Sequence, residues 1–185
     1  MSTKKVQSQL RAAALEQRML RIERKPKFAD RLDGFIVGVG SKWALLARIA
    51  EGHFDGYFAF RIRDVRRIRS DTTFMGAFAR TQPEWPPTSP FEHALDSTEG
   101  VILALGQSGP LFGILKDNEH DAMWVGGYDD IIKKMVYLHE VRPDASWHDE
   151  PLGYKLKAIT GVETGTRYMT ALAAISGTEP PAPAG

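Results

Sequence analysis

Residues 61–71, RIRDVRRIRSD, place five arginines within nine positions. A guanidinium offers a planar fork of donors matched to phosphate or carboxylate, so a run this dense is chemistry for an anion. The candidates are Arg61, Arg63, Arg66, Arg67 and Arg69. They read either as a stripe for nucleic acid, whose affinity would fall steeply with salt, or as a contact for an acidic protein. The plainer readings are a strand face solvated by arginine or pairing with acidic groups of the same chain.

Two other stretches invite chemistry. RPDASWHDEPLGY (142–154) gathers Asp144, His148, Asp149 and Glu150 around Trp147, residue types that bind divalent metals or exchange protons. Crowded into one Pro-bounded segment, they converge less readily than ligands spaced on a scaffold, and the stretch reads as an acidic surface loop. GFIVGVGSK carries Gly34, Gly38, Gly40 and Lys42, but Gly40-Ser41-Lys42 runs into the strand-like WALLARIA instead of opening a helix. Its glycines are assigned to a hairpin turn and close strand packing. His53, His93, His120 and His139 are scattered without metal-ligand spacing. No metal, cofactor or catalytic residue is expected, and the chain is read as non-catalytic.

The elements that position these residues follow from composition and periodicity. The 185 residues, 43% hydrophobic and 25% charged, have the balance of a globular chain with one domain or two small ones. Without cysteine, disulfides and thiolate chemistry are excluded. No apolar run reaches membrane-spanning length and the first twenty residues are charged throughout, so no membrane partner is expected and the cytoplasm is the expected location. The net charge of +1 conceals a division: residues 1–80 hold 17 Lys/Arg against 8 Asp/Glu, and residues 81–185 hold 7 against 15. Such asymmetry points to an external anionic partner or to attraction between the halves.

The charge switch falls at TQPEWPPTSP (81–90), whose four prolines break helix and strand alike. Across it the chain repeats. FRIRDVRRIRSDTTFMGAFA (60–79) aligns without a gap to YKLKAITGVETGTRYMTALA (154–173), matching Phe60 with Tyr154, Ile62 with Leu156 and Ile68 with Val162. Phe58, Phe60 and Ile62 alternate with polar or small residues, as in a half-buried strand. The spacing then shifts to three, from Val65 to Ile68, which predicts a tight turn or one 3₁₀ turn before a last strand. Helices are expected over 4–24 and 97–107, with Asp96 or Ser97 capping the second. Helices also follow each repeat, capped by Ser70 or Asp71 and by Thr164 or Thr166. Strands fill 34–60, turning at Gly40 and Gly52, and 110–141, turning at Gly126-Gly127.

Helix, short strands, tight turn, last strand and helix in each half is similar to the small β-barrels of the Sm-like and SH3-like type, over about 35–79 and 110–173. FRIRDVRRI and YKLKAITGV also resemble the barrel-closing strands of uncharacterised bacterial proteins. The resemblance implies a mainly β protein with flanking helices, built as two related small barrels from an internal duplication. Sm-like proteins bind RNA and SH3-like modules bind peptides. The Ile-Arg-Gly run of the Sm pattern is replaced here by Ile68-Arg69-Ser70 and by Val162-Glu163. The expected division is 1–80, a basic barrel with its leading helix; 81–96, a linker; 97–176, an acidic barrel with its helices; and 177–185, a disordered tail. The expected function is recognition of a protein partner through a charged surface, with RNA or DNA binding by the arginine-rich strand as the alternative. In the second copy Arg61 and Arg63 become Lys155 and Lys157, whereas Arg66, Arg67 and Arg69 become Thr160, Gly161 and Glu163. The last three are therefore particular to the first half.

Overall fold

The computed structural model describes residues 2–90 and 94–178; the expected tail beyond 178, and His93, lie outside them. Helix α1 (Thr3–Leu15) is capped by Ser2, whose side chain accepts a hydrogen bond from the Lys5 amide. The run of helix formers expected to carry it to residue 24 stops at Leu15: Gln17 takes φ 48°, and Met19–Arg24 becomes strand β1. Leu20, Ile22 and Arg24 alternate into the interior there, and pairing with two neighbouring strands overrides helix propensity.

β2 (Leu32–Val39), β3 (Trp43–Ala50) and β4 (His53–Arg61) follow, then a 3₁₀ turn at Ile62–Asp64, β5 (Val65–Ser70) and the short helix α2 (Met75–Ala79). The 3₁₀ turn precedes Val65, and the three-residue spacing to Ile68 marks an irregular register of β5 against Glu23 and Arg24. The second half repeats the order: α3 (Thr98–Gly106), β6 (Phe112–Leu115), β7 (Met123–Ile132), β8 (Met135–Glu140), β9 (Leu152–Lys155), a 3₁₀ turn at Leu156–Ala158, β10 (Gly161–Thr164) and α4 (Arg167–Ser176). Residues flanking the two turns adopt nearly the same angles, Arg61 −72°/126° beside Lys155 −66°/122°, and Val65 −67°/123° beside Ile159 −70°/124°.

All ten strands form one antiparallel sheet in the order β5-β1-β2-β3-β4-β10-β6-β7-β8-β9. The protein is therefore mainly β with helices, but the halves are not separate closed barrels. They join edge to edge through β4 and β10, and the sheet stays open at β5 and β9. One core lies within the first half, where Val6 and Leu10 of α1 meet Leu20, Ile22, Leu46 and Phe60. Another crosses the joint, packing Trp43, Leu45 and Ala59 against Ile102, Leu105, Phe112 and Val162. Each buried Leu, Ile, Val or Phe among them contributes about 1.5–3 kcal/mol, so the joint is a core and not a hinge.

Residues 95–96, at the end of the expected linker, are held against the first half. Leu95 O accepts from Trp43 N (2.9 Å) and Asp96 Oδ1 from Ser41 N (2.6 Å). Gly40 leaves room for that contact, since a Cβ there would stand 2.4 Å from Leu95 O. Gly126 and Gly127 lie inside β7, and the reversal falls at Lys133-Lys134, with φ 49° and 66°. Ser97 caps α3 and Thr166 caps α4, whereas α2 has no side-chain cap and Asp71 instead accepts from Thr73 N (3.1 Å).

Candidate anion-binding site at the joint

The register at the joint sets Phe60 opposite Gly161, Ala59 opposite Val162 and Phe58 opposite Glu163. Among the described residues two ion pairs tie the halves. Arg24 Nη1 lies 2.7 Å from Asp117 Oδ2 with both side chains almost wholly buried, 1% and 4% exposed. Thr160 Oγ1 also donates to that carboxylate oxygen (2.7 Å). Nearer the surface, Arg48 Nη1 meets Glu163 Oε2 at 3.0 Å.

Burial holds the Glu163 carboxyl above the usual carboxylate range, and the Arg48 guanidinium opposes that shift without cancelling it. A folded-state value above the unfolded one places this group's favourable contribution below the unfolded value near 4.5, to be lost as pH rises through the folded value. Glu163→Gln should remove that loss. Stability measured by urea unfolding from pH 4 to 8 should fall less steeply for the variant across this window, and parallel curves would refute the assignment.

Arg61 crosses the joint. Its Nη2 donates to the carbonyls of Leu156 (3.1 Å) and Lys157 (2.9 Å), and its guanidinium lies 5.5 Å from the centre of the Trp43 ring. Burial, with repulsion from Arg63 added, lowers its pKa. Around it opens a cavity of about 430 Å³ lined by Thr3, Ser41, Lys42, Trp43, Arg61, Arg63, Thr98 and Lys157. Thr3 and Thr98 open α1 and α3, so two helix N-termini add partial positive charge to four cations. Among the described residues the Lys42 and Lys157 side chains make no hydrogen bond or ion pair, and both are exposed. A cleft of about 450 Å³ near Gln7, Arg11 and Leu95 has a single cation, Arg11, and mostly apolar walls. The charged groups converge at the joint.

The five arginines thus separate. Arg61 and Arg63 line the cavity, Arg61 partly as a structural clasp. Arg66, Arg67 and Arg69 stand exposed on β5, the outer edge of the sheet, and do not line it. Among the described residues their side chains have no hydrogen-bond or ion-pair partner, in the acidic half or elsewhere. Topology explains why the second half lacks them: β10 is a central strand buried between β4 and β6, where small or paired residues are required. Comparison of the chain with family models, curated proteins and solved structures gives no match.

The 142–154 segment folds over the end of β8. Trp147 Nε1 donates to Ser176 O (3.0 Å), and His148 Nε2 lies 3.9 Å from Glu140 Oε2. Asp149 and Glu150 point to solvent, and among the described residues no three metal-ligating side chains converge. No helix of the described residues is long and apolar enough to cross a membrane. In sequence Lys42 stands in a glycine-rich stretch that lacks the following helix of a phosphate-binding loop. Its partners in the cavity lie up to 115 positions away, and no local signal links them.

Proposed function

We propose that the chain is a non-catalytic binding protein that holds single-stranded nucleic acid in the cationic cavity at its joint. The observation that carries this is the convergence of Lys42, Arg61, Arg63, Lys157 and two helix N-termini on a concavity of nucleotide size. Trp43 is buried beneath Arg61 and offers no face for base stacking, which supports phosphate contacts with little sequence preference. The two halves are read as copies of one duplicated five-stranded unit, supported by their identical strand orders and matching 3₁₀ turns. An acidic protein partner is the second reading, favoured by the exposed Arg66 and Arg67.

The test is fluorescence anisotropy with a labelled homopolymeric RNA over a range of salt. Lys42→Ala and Lys157→Ala should each weaken binding and flatten the slope of log affinity against log salt by about 0.7, with the fold intact. Arg66→Ala with Arg67→Ala should leave binding nearly unchanged. Loss of binding in that edge pair alone would move the site to β5. Failure of the wild type to bind RNA at low salt would end the nucleic-acid reading and leave the acidic protein.

A further inference from the structure

The sheet ends in a form that can begin again. β4 and β10, which pair at the joint, hold the last and first places of their halves' strand orders. The two open edges are β9, which corresponds to β4, and β5, which corresponds to β10. We propose that a second copy of this chain docks its β5 onto β9 in the register of the internal joint, giving head-to-tail assembly.

The correspondence is fixed residue by residue. Ile62 N donates to Lys42 O (2.9 Å), as Leu156 N donates to Lys134 O (3.0 Å). Gly161, Val162 and Glu163 therefore match Arg67, Ile68 and Arg69, while Phe60, Ala59 and Phe58 match Tyr154, Gly153 and Leu152. In the assembly Gly153 would face Ile68 of the second copy, as Ala59 faces Val162 inside the chain. Leu152, 38% exposed, would gain cover.

The charges decide the partner. Leu46 pairs with Phe58 across β3 and β4, and Leu138 pairs with Leu152 across β8 and β9, so Glu140 stands where Arg48 stands. Inside the chain Arg48 bridges the joint to Glu163. At the open edges the matching positions hold Glu140 and Arg69, the same ion pair with its signs exchanged. Glu140 is largely buried, accepts from the Tyr154 hydroxyl and has His148 beside it, while Arg69 is exposed. A charged edge strand resists indiscriminate pairing. Arg69 makes β5 selective for an edge that presents a carboxylate.

The new joint is weaker than the internal one. The buried Arg24–Asp117 pair has no exchanged counterpart, because Lys116 and Lys25 stand at the corresponding ends of β6 and β1. Assembly should therefore depend on concentration. It would also bring Lys134, Lys155 and Lys157 of one copy beside Thr3 and Arg63 of the next, outlining a second cationic cavity. A head-to-tail contact of this kind closes into a ring or continues as an open array, according to the rotation it imposes.

Sedimentation equilibrium on the full chain, from micromolar to submillimolar concentration, tests the proposal. The wild type should exceed its 20.6 kDa monomer mass as concentration rises. Arg69→Glu, at an exposed position, should weaken association more than about tenfold with an unchanged circular dichroism spectrum. Glu140→Gln keeps an acceptor for Tyr154 and should weaken association in the same direction. A wild type that stays monomeric throughout, or an Arg69→Glu variant that assembles as the wild type does, would overturn the proposal.

Discussion

Arg24→Met is expected to lower the unfolding free energy by about 3–5 kcal/mol, measured by urea denaturation at neutral pH. The Arg24 guanidinium is 2.7 Å from Asp117, lies 4.9 Å from the Phe58 ring centre and donates to Asp30 O. Burial lowers its pKa, and Asp117 is the chief influence in the opposite direction. Removing the cation strands a carboxylate that is 4% exposed, with Thr160 as its remaining side-chain donor. Converting Asp117 to Asn in the same chain removes the stranded charge, so the double variant should lose less than the two single losses added together. A single-variant loss below about 1 kcal/mol is what an exposed pair gives, and it would show that these groups are hydrated after all.

That ion pair shows where sequence reading stops. The division of charge between the halves was legible, and the structure places the basic partners Arg24 and Arg48 on one side of the joint and the acidic partners Asp117 and Glu163 on the other. Which residues meet was not legible, because 93 and 115 positions separate them and only the pairing of β4 with β10 brings them together. The alternation of Phe58, Phe60 and Ile62 gave the strand, and the matched spacing of 60–79 and 154–173 gave two similar turns. β1 stayed hidden because Met19–Arg24 is composed largely of good helix formers, and its strand state is imposed by β2 and β5. The Gly126-Gly127 pair misled for a related reason. Gly126 is needed inside β7, where a Cβ would come within 2.2 Å of His139 O, while two lysines make the turn. The arginine run was the strongest sequence signal for an anion, yet three of its members lie on a sheet edge outside the cavity.

The same topology makes two aligned positions respond oppositely to substitution. Gly161 and Arg67 occupy matching places in β10 and β5, yet an arginine at 161 should prevent folding. A Cβ at Gly161 would stand 2.6 Å from Phe58 Cζ and 2.9 Å from Phe58 Cε1, and Leu115 Cδ1 is 3.4 Å away. Phe58 is 2% exposed and lies beneath the Arg24 guanidinium, so its ring can shift only by disturbing that contact. Gly161→Ala isolates the steric part and should cost about 1–3 kcal/mol, the usual penalty for overpacking a core. Gly161→Arg adds a guanidinium among buried strands, where the carboxylate of the same strand, Glu163, is already engaged by Arg48. Its loss should exceed that of Gly161→Ala by several kcal/mol, leaving little folded protein. Arg67→Ala, on the exposed edge, should change stability by no more than about 0.5 kcal/mol. Urea unfolding of the two alanine variants, with recovery of soluble Gly161→Arg protein as the third reading, checks the contrast. Equal stability of Gly161→Ala and Arg67→Ala would mean that β10 is not the central strand its register makes it.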